Sequence, residues 1–293
     1  MNEIERRIAA IRTDRSRGAS ELACQALEIL RDAARFTQAV DTAGFMQEIQ
    51  DTAGQLIHCR PAMAAICNCT YRFLTEFINC SRVARNLEEL KALSVQAGDD
   101  LIASVSAARD RAIRNGASLV KDGDLLASCS YSSSVIQTLK CAAGQGRSFA
   151  VLVMQSKWAG RSYGDMTASR LVEYGIRCRV IPDDRVDNHL SGVDFVLLGA
   201  DTILYDGTLV NGYPSLELVR AAAKHVPPVP VYSVCESTKF YPRDRLANQE
   251  EGFDLVSPEL LSGGIITEAG IIKPGQIWRY MPDLPDSFPL PAK

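Results

Sequence analysis

Asp201 ends the apolar run Val193-Asp194-Phe195-Val196-Leu197-Leu198-Gly199-Ala200, and a carboxylate delivered at the end of such a strand is placed for proton transfer. Shielded from water, it is harder to ionise, so its pKa rises and it can give or take a proton near neutral pH. Polar groups gather in other short stretches: Ser128-Cys129-Ser130, then Ser132 and Ser133, Gln155-Ser156-Lys157, Asp183-Asp184 and Asn211. Serines at the start of a helix offer hydroxyls and N–H groups where the helix dipole favours a phosphate. Arg17, Arg60, Lys157 and Lys239 could supply positive charge. The same serines also fit a plain capping role at the helix that ends near Ala143, and Asp201 fits a turn.

Chemistry assembled from such distant residues needs elements that converge. From Asn2 to about Arg114 apolar residues recur at helical spacing, as in Leu22, Ala26, Ile29 and Leu30 and again in Leu87, Leu90 and Leu93, which predicts a mostly helical domain over residues 1–115. Arg60-Pro61 interrupts it, with Pro61 expected in the first turn of a helix through residues 62–77. After Asn115-Gly116 short apolar runs alternate with helical stretches, which predicts an α/β, Rossmann-like domain over residues 116–293 with a parallel sheet and right-handed crossovers. Its strand ends should bring the polar stretches to one rim. Asn211-Gly212 reads as a turn before the next helix. No G-x-G-x-x-G follows the first strand, so a nicotinamide or flavin dinucleotide is not expected.

Composition narrows the classes. A net charge of -3 with scattered Lys and Arg gives no broad basic face, so nucleic acid is not an expected partner. The charged N-terminus and the lack of a run of about eighteen apolar residues argue against a membrane and for a cytoplasmic protein. Nine cysteines lack paired C-x-x-C spacing, Cys67-Asn68-Cys69 has no nearby His, and three histidines supply neither a metal site nor a Ser-His-Asp triad.

In order along the chain, Arg17-Gly18-Ala19, Arg60-Pro61, Gly199-Ala200-Asp201, Asn211-Gly212, Glu236-Ser237-Thr238-Lys239-Phe240 and Ile266-Thr267-Glu268-Ala269-Gly270 resemble a family. It comprises aldose-1-phosphate isomerases, acting on methylthioribose 1-phosphate or ribose 1,5-bisphosphate, and the regulatory subunits of initiation factor 2B. The resemblance implies that Arg17, Arg60 and Lys239 surround substrate phosphate and hydroxyls, and that Asp201 works with a cysteine after the first strand to move a proton or hydride between the first two sugar carbons. It also implies a two-fold dimer paired through the second domain, to which the apolar run 263–275 and the Pro-rich tail 282–293 would contribute.

The chain departs from that pattern at informative places. Alignment without gaps back from Lys140 puts Ser130 at the cysteine, and a shift of one residue restores Cys129. Gly212 stands where the family has lysine, and Gln155-Ser156-Lys157-Trp158 replaces Glu-Ser/Thr-Arg-Pro. The leading expectation is an aldose–ketose isomerase for a phosphorylated pentose or related sugar. Asp201 with Cys129 or Ser130 would be catalytic, while Arg17, Gly18, Ala19, Arg60, Ser132, Ser133, Lys157, Asn211, Gly212 and Lys239 would bind substrate. No metal or organic cofactor is expected, because the open-chain carbonyl is the electron sink. The alternative is a sugar-phosphate or nucleotide sensor like the regulatory subunits, favoured by Ser130 and Gly212.

Overall fold

The computed structural model describes residues 3–243 and 250–281. The first part is helical: α1 (Glu3–Thr13), α2 (Ala19–Phe36), α3 (Thr42–Ile57), α4 (Ala64–Val83) and α5 (Leu87–Ala117). Leu22, Ala26, Leu27, Ile29, Leu30 and Ala33 form one buried stripe on α2, and this packs with Ile49 and Leu56 of α3 and Phe73 and Phe77 of α4 in a single core. Asn86 starts α5 by accepting from the Glu89 N–H at 2.9 Å, with Glu88 and Glu89 matching the helix dipole.

Beyond α5 the chain builds β1 (Leu125–Ser128), α6 (Ser133–Gly144), β2 (Ala150–Met154), the short strands β3 (Lys157–Trp158) and β4 (Arg161–Ser162), α7 (Tyr163–Glu173), β5 (Arg177–Ile181) and β6 (Phe195–Leu198). It continues through β7 (Thr202–Ile203), β8 (Leu209–Gly212), α8 (Ser215–Lys224), β9 (Val231–Val234), β10 (Phe253–Val256), β11 (Gly264–Thr267) and β12 (Gly270–Ile272). The main sheet runs β12-β11-β9-β6-β1-β2-β5, parallel except for the β11–β12 hairpin at its edge. Apolar cores cover both of its faces, as a parallel sheet requires. The expected helical and Rossmann-like halves are both present, and the residue 115/116 boundary falls in the last turn of α5.

Two local expectations are corrected. Pro61 lies in a turn closed by the Met63 N–H on the Arg60 carbonyl at 3.0 Å, and α4 begins only at Ala64. Its first N–H groups need no proline there, because Ala64 N–H donates to Thr202 Oγ1 at 2.9 Å and that hydroxyl donates to the Ala62 carbonyl at 2.8 Å. Asn211-Gly212 is not a turn either. It lies in β8, the middle strand of a small antiparallel sheet β10-β8-β7. The reversal comes earlier, where Gly207 N–H donates to the Leu204 carbonyl at 2.8 Å. The Asn211 amide is buried and satisfied within the fold, so it has no call on the left-handed conformation that turn asparagines adopt. The tail 282–293 lies outside the described residues.

Candidate active site

The small sheet, the segment that follows β1, the β3–β4 hairpin and the segments at Asp14–Gly18, Arg60–Met63 and Glu250–Phe253 line a cavity of about 390 Å³. Among the described residues the non-glycine residues of positive φ are Ser130, Ser156 and Ala159, at 60°, 53° and 47°; Ser130 and Ala159 line the cavity, and Ser156 is buried behind Ser130. Each costs about 1–3 kcal/mol and persists only where neighbours hold it, which is characteristic of sites. The neighbours are visible: Ser130 N–H donates to Ser156 Oγ at 2.7 Å and its carbonyl accepts from Thr167 Oγ1 at 2.7 Å. Asp183 in turn accepts from the Ser156 and Lys157 N–H groups at 2.7 and 3.0 Å. The convergence expected of Ser130, Ser156 and Asp183 is thus present.

Asp201 faces the cavity, its backbone N–H tied to the Val210 carbonyl at 3.0 Å. Burial pushes its carboxyl up to about 6, against the pull of Lys239 and Arg60 and with a further push from Glu250. Lys239 is itself buried, with Nζ donating to the Ala200 carbonyl at 2.8 Å. Buried Arg60 donates from Nη1 to the Asp14 carbonyl at 2.7 Å and sets Nε 3.3 Å from Glu250, which Arg15 also approaches at 3.8 Å. Arg17 donates from Nε to Asp14 at 2.8 Å. Burial would raise the Asp14 carboxyl, but hydrogen bonds from the Ser16 and Arg17 N–H groups and the Arg17 charge outweigh it and hold the group below its ordinary value.

Cys129 and Ser130 part company here. Ser130 lines the cavity. Cys129 is buried behind it, 3.3 Å from Ser215 Oγ, which donates to the Gly212 carbonyl at 2.6 Å and accepts from Asn211 Nδ2 at 2.8 Å. The one proton of Ser215 is therefore committed, and Cys129 is the donor to it. Burial pushes the Cys129 thiol up to about 12, so a thiolate is not present at neutral pH. A Cβ on Gly212 would overlap Ser130 Oγ as that hydroxyl stands, so the two residues are in close contact at the cavity wall.

Of the residues expected from sequence, Asp201, Ser130, Arg17, Gly18, Arg60 and Gly212 line the cavity. Asn211 and Lys239 stand one layer behind, holding Ser215 and Ala200. Ala19 is buried as the first residue of α2. Ser132 caps α6 by accepting from Val135 N–H at 3.4 Å, and Ser133 packs on Gly18, so neither lines the cavity. The side chain of Lys157 is exposed and also lies outside the lining. Sequence reasoning missed Asp14, Trp158, Arg161, Tyr163, Tyr213, Glu250 and Phe253. The departure at Gln155–Trp158 was the one available signal, since it marks the segment that becomes the hairpin. Among the described residues no helix is long and apolar enough to cross a membrane.

Residues 15–252 match the initiation factor 2 subunit family. The chain is 28% identical over 240 residues to the ribose 1,5-bisphosphate isomerase of Haloferax volcanii, covering 82% of this chain and 72% of that protein. It is 29% identical over 225 residues to translation initiation factor eIF2B subunit alpha of Dictyostelium discoideum, covering 75% and 68%. Its fold is similar to the crystal structure of translation initiation factor eIF-2B from Pyrococcus horikoshii OT3, with a TM-score of 0.77, 24% identity, and 94% and 98% of the two chains covered.

Proposed function

The chain belongs to the initiation factor 2 subunit family, and we propose that within it this protein is an aldose–ketose isomerase for a phosphorylated pentose or closely related sugar. Asp201 carries this reading: a carboxylate whose pKa is raised to about 6 faces a cavity that also holds arginines and hydroxyls. Such a group is divided between its two protonation states near neutrality, which is what a single acid–base residue needs. On a sugar 1-phosphate the C1–O4 ring bond breaks as O4 takes a proton, the hydrogen on C2 passes to C1 as proton or hydride, and the C2 hydroxyl gives up its proton to leave the ketone, so the conversion consumes no net proton and one carboxyl can serve as both acid and base. Ser130 is the hydroxyl partner across the sugar, and the arginines hold phosphate. The isomerases among the relatives support this assignment. The protein is proposed to act in the cytoplasm as a homodimer.

A second reading, a sugar-phosphate sensor without turnover, is favoured by one observation: the group in the cavity is the Ser130 hydroxyl, while the neighbouring thiol is buried and protonated. Ketose formation from ribose 1-phosphate and ribose 1,5-bisphosphate, in wild type and Asp201→Asn, separates the two. The isomerase reading expects turnover that rises through an apparent pKa near 6 and falls about a hundredfold or more in the variant, with binding retained. Stability gives a further check. The folded pKa lies above the ordinary value of 3.8, so the unfolded chain ionises first and the penalty on folding grows as pH rises from about 4 to 6. Asp201→Asn should therefore raise the melting temperature at pH 8 and leave it nearly unchanged at pH 3. Binding of both sugars without ketose formation would establish the sensor.

A further inference from the structure

The four arginines that line the cavity are not equally available. Arg15 and Arg60 share Glu250, and Arg17 lies on Asp14, whereas Arg161 makes no ion pair among the described residues. Arg161 stands directly across the β3–β4 hairpin from Trp158, and residues so paired put their side chains on one face about 5 Å apart. The hairpin turns through Ala159 and Gly160, both at positive φ. Its base is fixed by Asp183 on the Lys157 N–H and by Ser162 Oγ on the Gln155 carbonyl at 2.9 Å. The Trp158 indole is seated as well. It lies on Gly252, where a Cβ would come within 2.6 Å of Nε1, and its ring is 5.9 Å from that of Tyr213 at a 49° tilt. It is still 39% exposed, and it lines the cavity beside Arg161.

We infer that the β3–β4 hairpin is the specificity element of this site: Arg161 receives the substrate's phosphate, Trp158 covers the adjoining sugar carbons, and the site takes a sugar bearing one phosphate. This rests on the sugar-phosphate reading above and narrows it. A guanidinium free of carboxylates offers its paired N–H groups to phosphate oxygens without first breaking an ion pair. A second phosphate would have to displace Asp14 or Glu250 from the other arginines. Among the lining residues Asp14, Asp201, Glu250 and Glu251 equal the four arginines in number, and the one further cation, Lys239, is buried behind Asp201 with its ammonium on the Ala200 carbonyl, so little positive charge is left free to reward it.

The chain has two tryptophans, and Trp278 lies outside the site with its ring under the Arg279 guanidinium, so full-length Trp278→Phe protein reports Trp158 emission alone. Ribose, ribose 1-phosphate, ribose 5-phosphate and ribose 1,5-bisphosphate are titrated against it. At least one monophosphate should change the Trp158 emission and bind at least about tenfold more tightly than ribose, with the bisphosphate within about threefold of that monophosphate. Arg161→Gln should weaken that monophosphate about tenfold or more, while the emission of the ligand-free protein stays as in the parent. Arg161→Lys, which keeps the charge and loses the fork, should fall between. Unchanged affinity in Arg161→Gln, or a bisphosphate bound about a hundredfold more tightly than either monophosphate, overturns the assignment. Binding as expected without ketose formation upholds it and removes the isomerase reading instead, and no response to any of the phosphates overturns both.

Discussion

Two adjacent side chains, Cys129 and Ser130, show how far a site depends on single backbone angles. On an extended strand neighbouring residues face opposite ways, and only one could reach the ligand. Here β1 has ended, and Ser130 is held at a φ of 60° by Ser156 and Thr167, which turns its hydroxyl toward the cavity and leaves Cys129 among apolar residues. A thiol pushed up to about 12 is a poor nucleophile and a poor acid at pH 7, whatever its place in an alignment. Iodoacetamide should therefore leave Cys129 unmodified in the folded protein with or without sugar phosphate, as peptide mapping would show. Ser130→Ala should reduce turnover by about tenfold or more, and Cys129→Ser should change it by less than about threefold. Rapid ligand-protected labelling of Cys129 would return the role to the thiol.

At the scale of elements, Asp201 is positioned by a joint between the two halves of the chain. Thr202 is the next residue, and its buried hydroxyl bridges the Ala62 carbonyl and the Ala64 N–H in the turn that also carries Arg60. Thr202→Val keeps the shape and leaves both backbone groups unpaired in an apolar setting, at a cost of about 1–3 kcal/mol. Calorimetry should show a melting temperature roughly 3–10 °C lower, and KM should rise more than kcat falls because the Arg60 turn loses its anchor. A melting temperature within about a degree of wild type would mean that the joint is held elsewhere. This joint also marks what could be read in advance. The strands β1, β2, β6 and β9 are mostly apolar runs and β5 ends in one, each beside a helical stretch, so the sheet and its Asp201-bearing strand were legible, as was the helical first half. The β3–β4 hairpin was not, since two residues per strand leave no period to detect. Nor was the β7-β8-β10 sheet, because Asn211-Gly212 carries the composition of a turn while its amide is spent on Ser215 inside a strand. Asp14 and Glu250 reach the cavity from irregular segments far apart in sequence, where no pattern ties them to Arg15, Arg17 and Arg60.

For the whole molecule, the main sheet ends at β12, an edge that the described residues leave open. α5 runs from the helical core onto this end of the sheet, packing on β11 and β9, yet β12 beyond it is bordered by no further strand among the described residues. Ile271 on β12 is 49% exposed, and the segment that follows it exposes Trp278. Apolar side chains at an open strand edge are a liability unless another surface covers them, and a second copy of the same chain does so with one closed, two-fold contact. Light scattering at micromolar concentration should give a mass near twice the 32.0 kDa of one chain. Ile271→Lys, which places a charge at the edge without touching the cavity, should shift the mass toward a single chain while Trp158 emission and its response to ribose phosphates persist. A wild-type mass near 32.0 kDa would refute the homodimer. A wild-type dimer that survives Ile271→Lys would instead move the contact away from β12, leaving the tail 282–293, outside the described residues, as the next segment to delete.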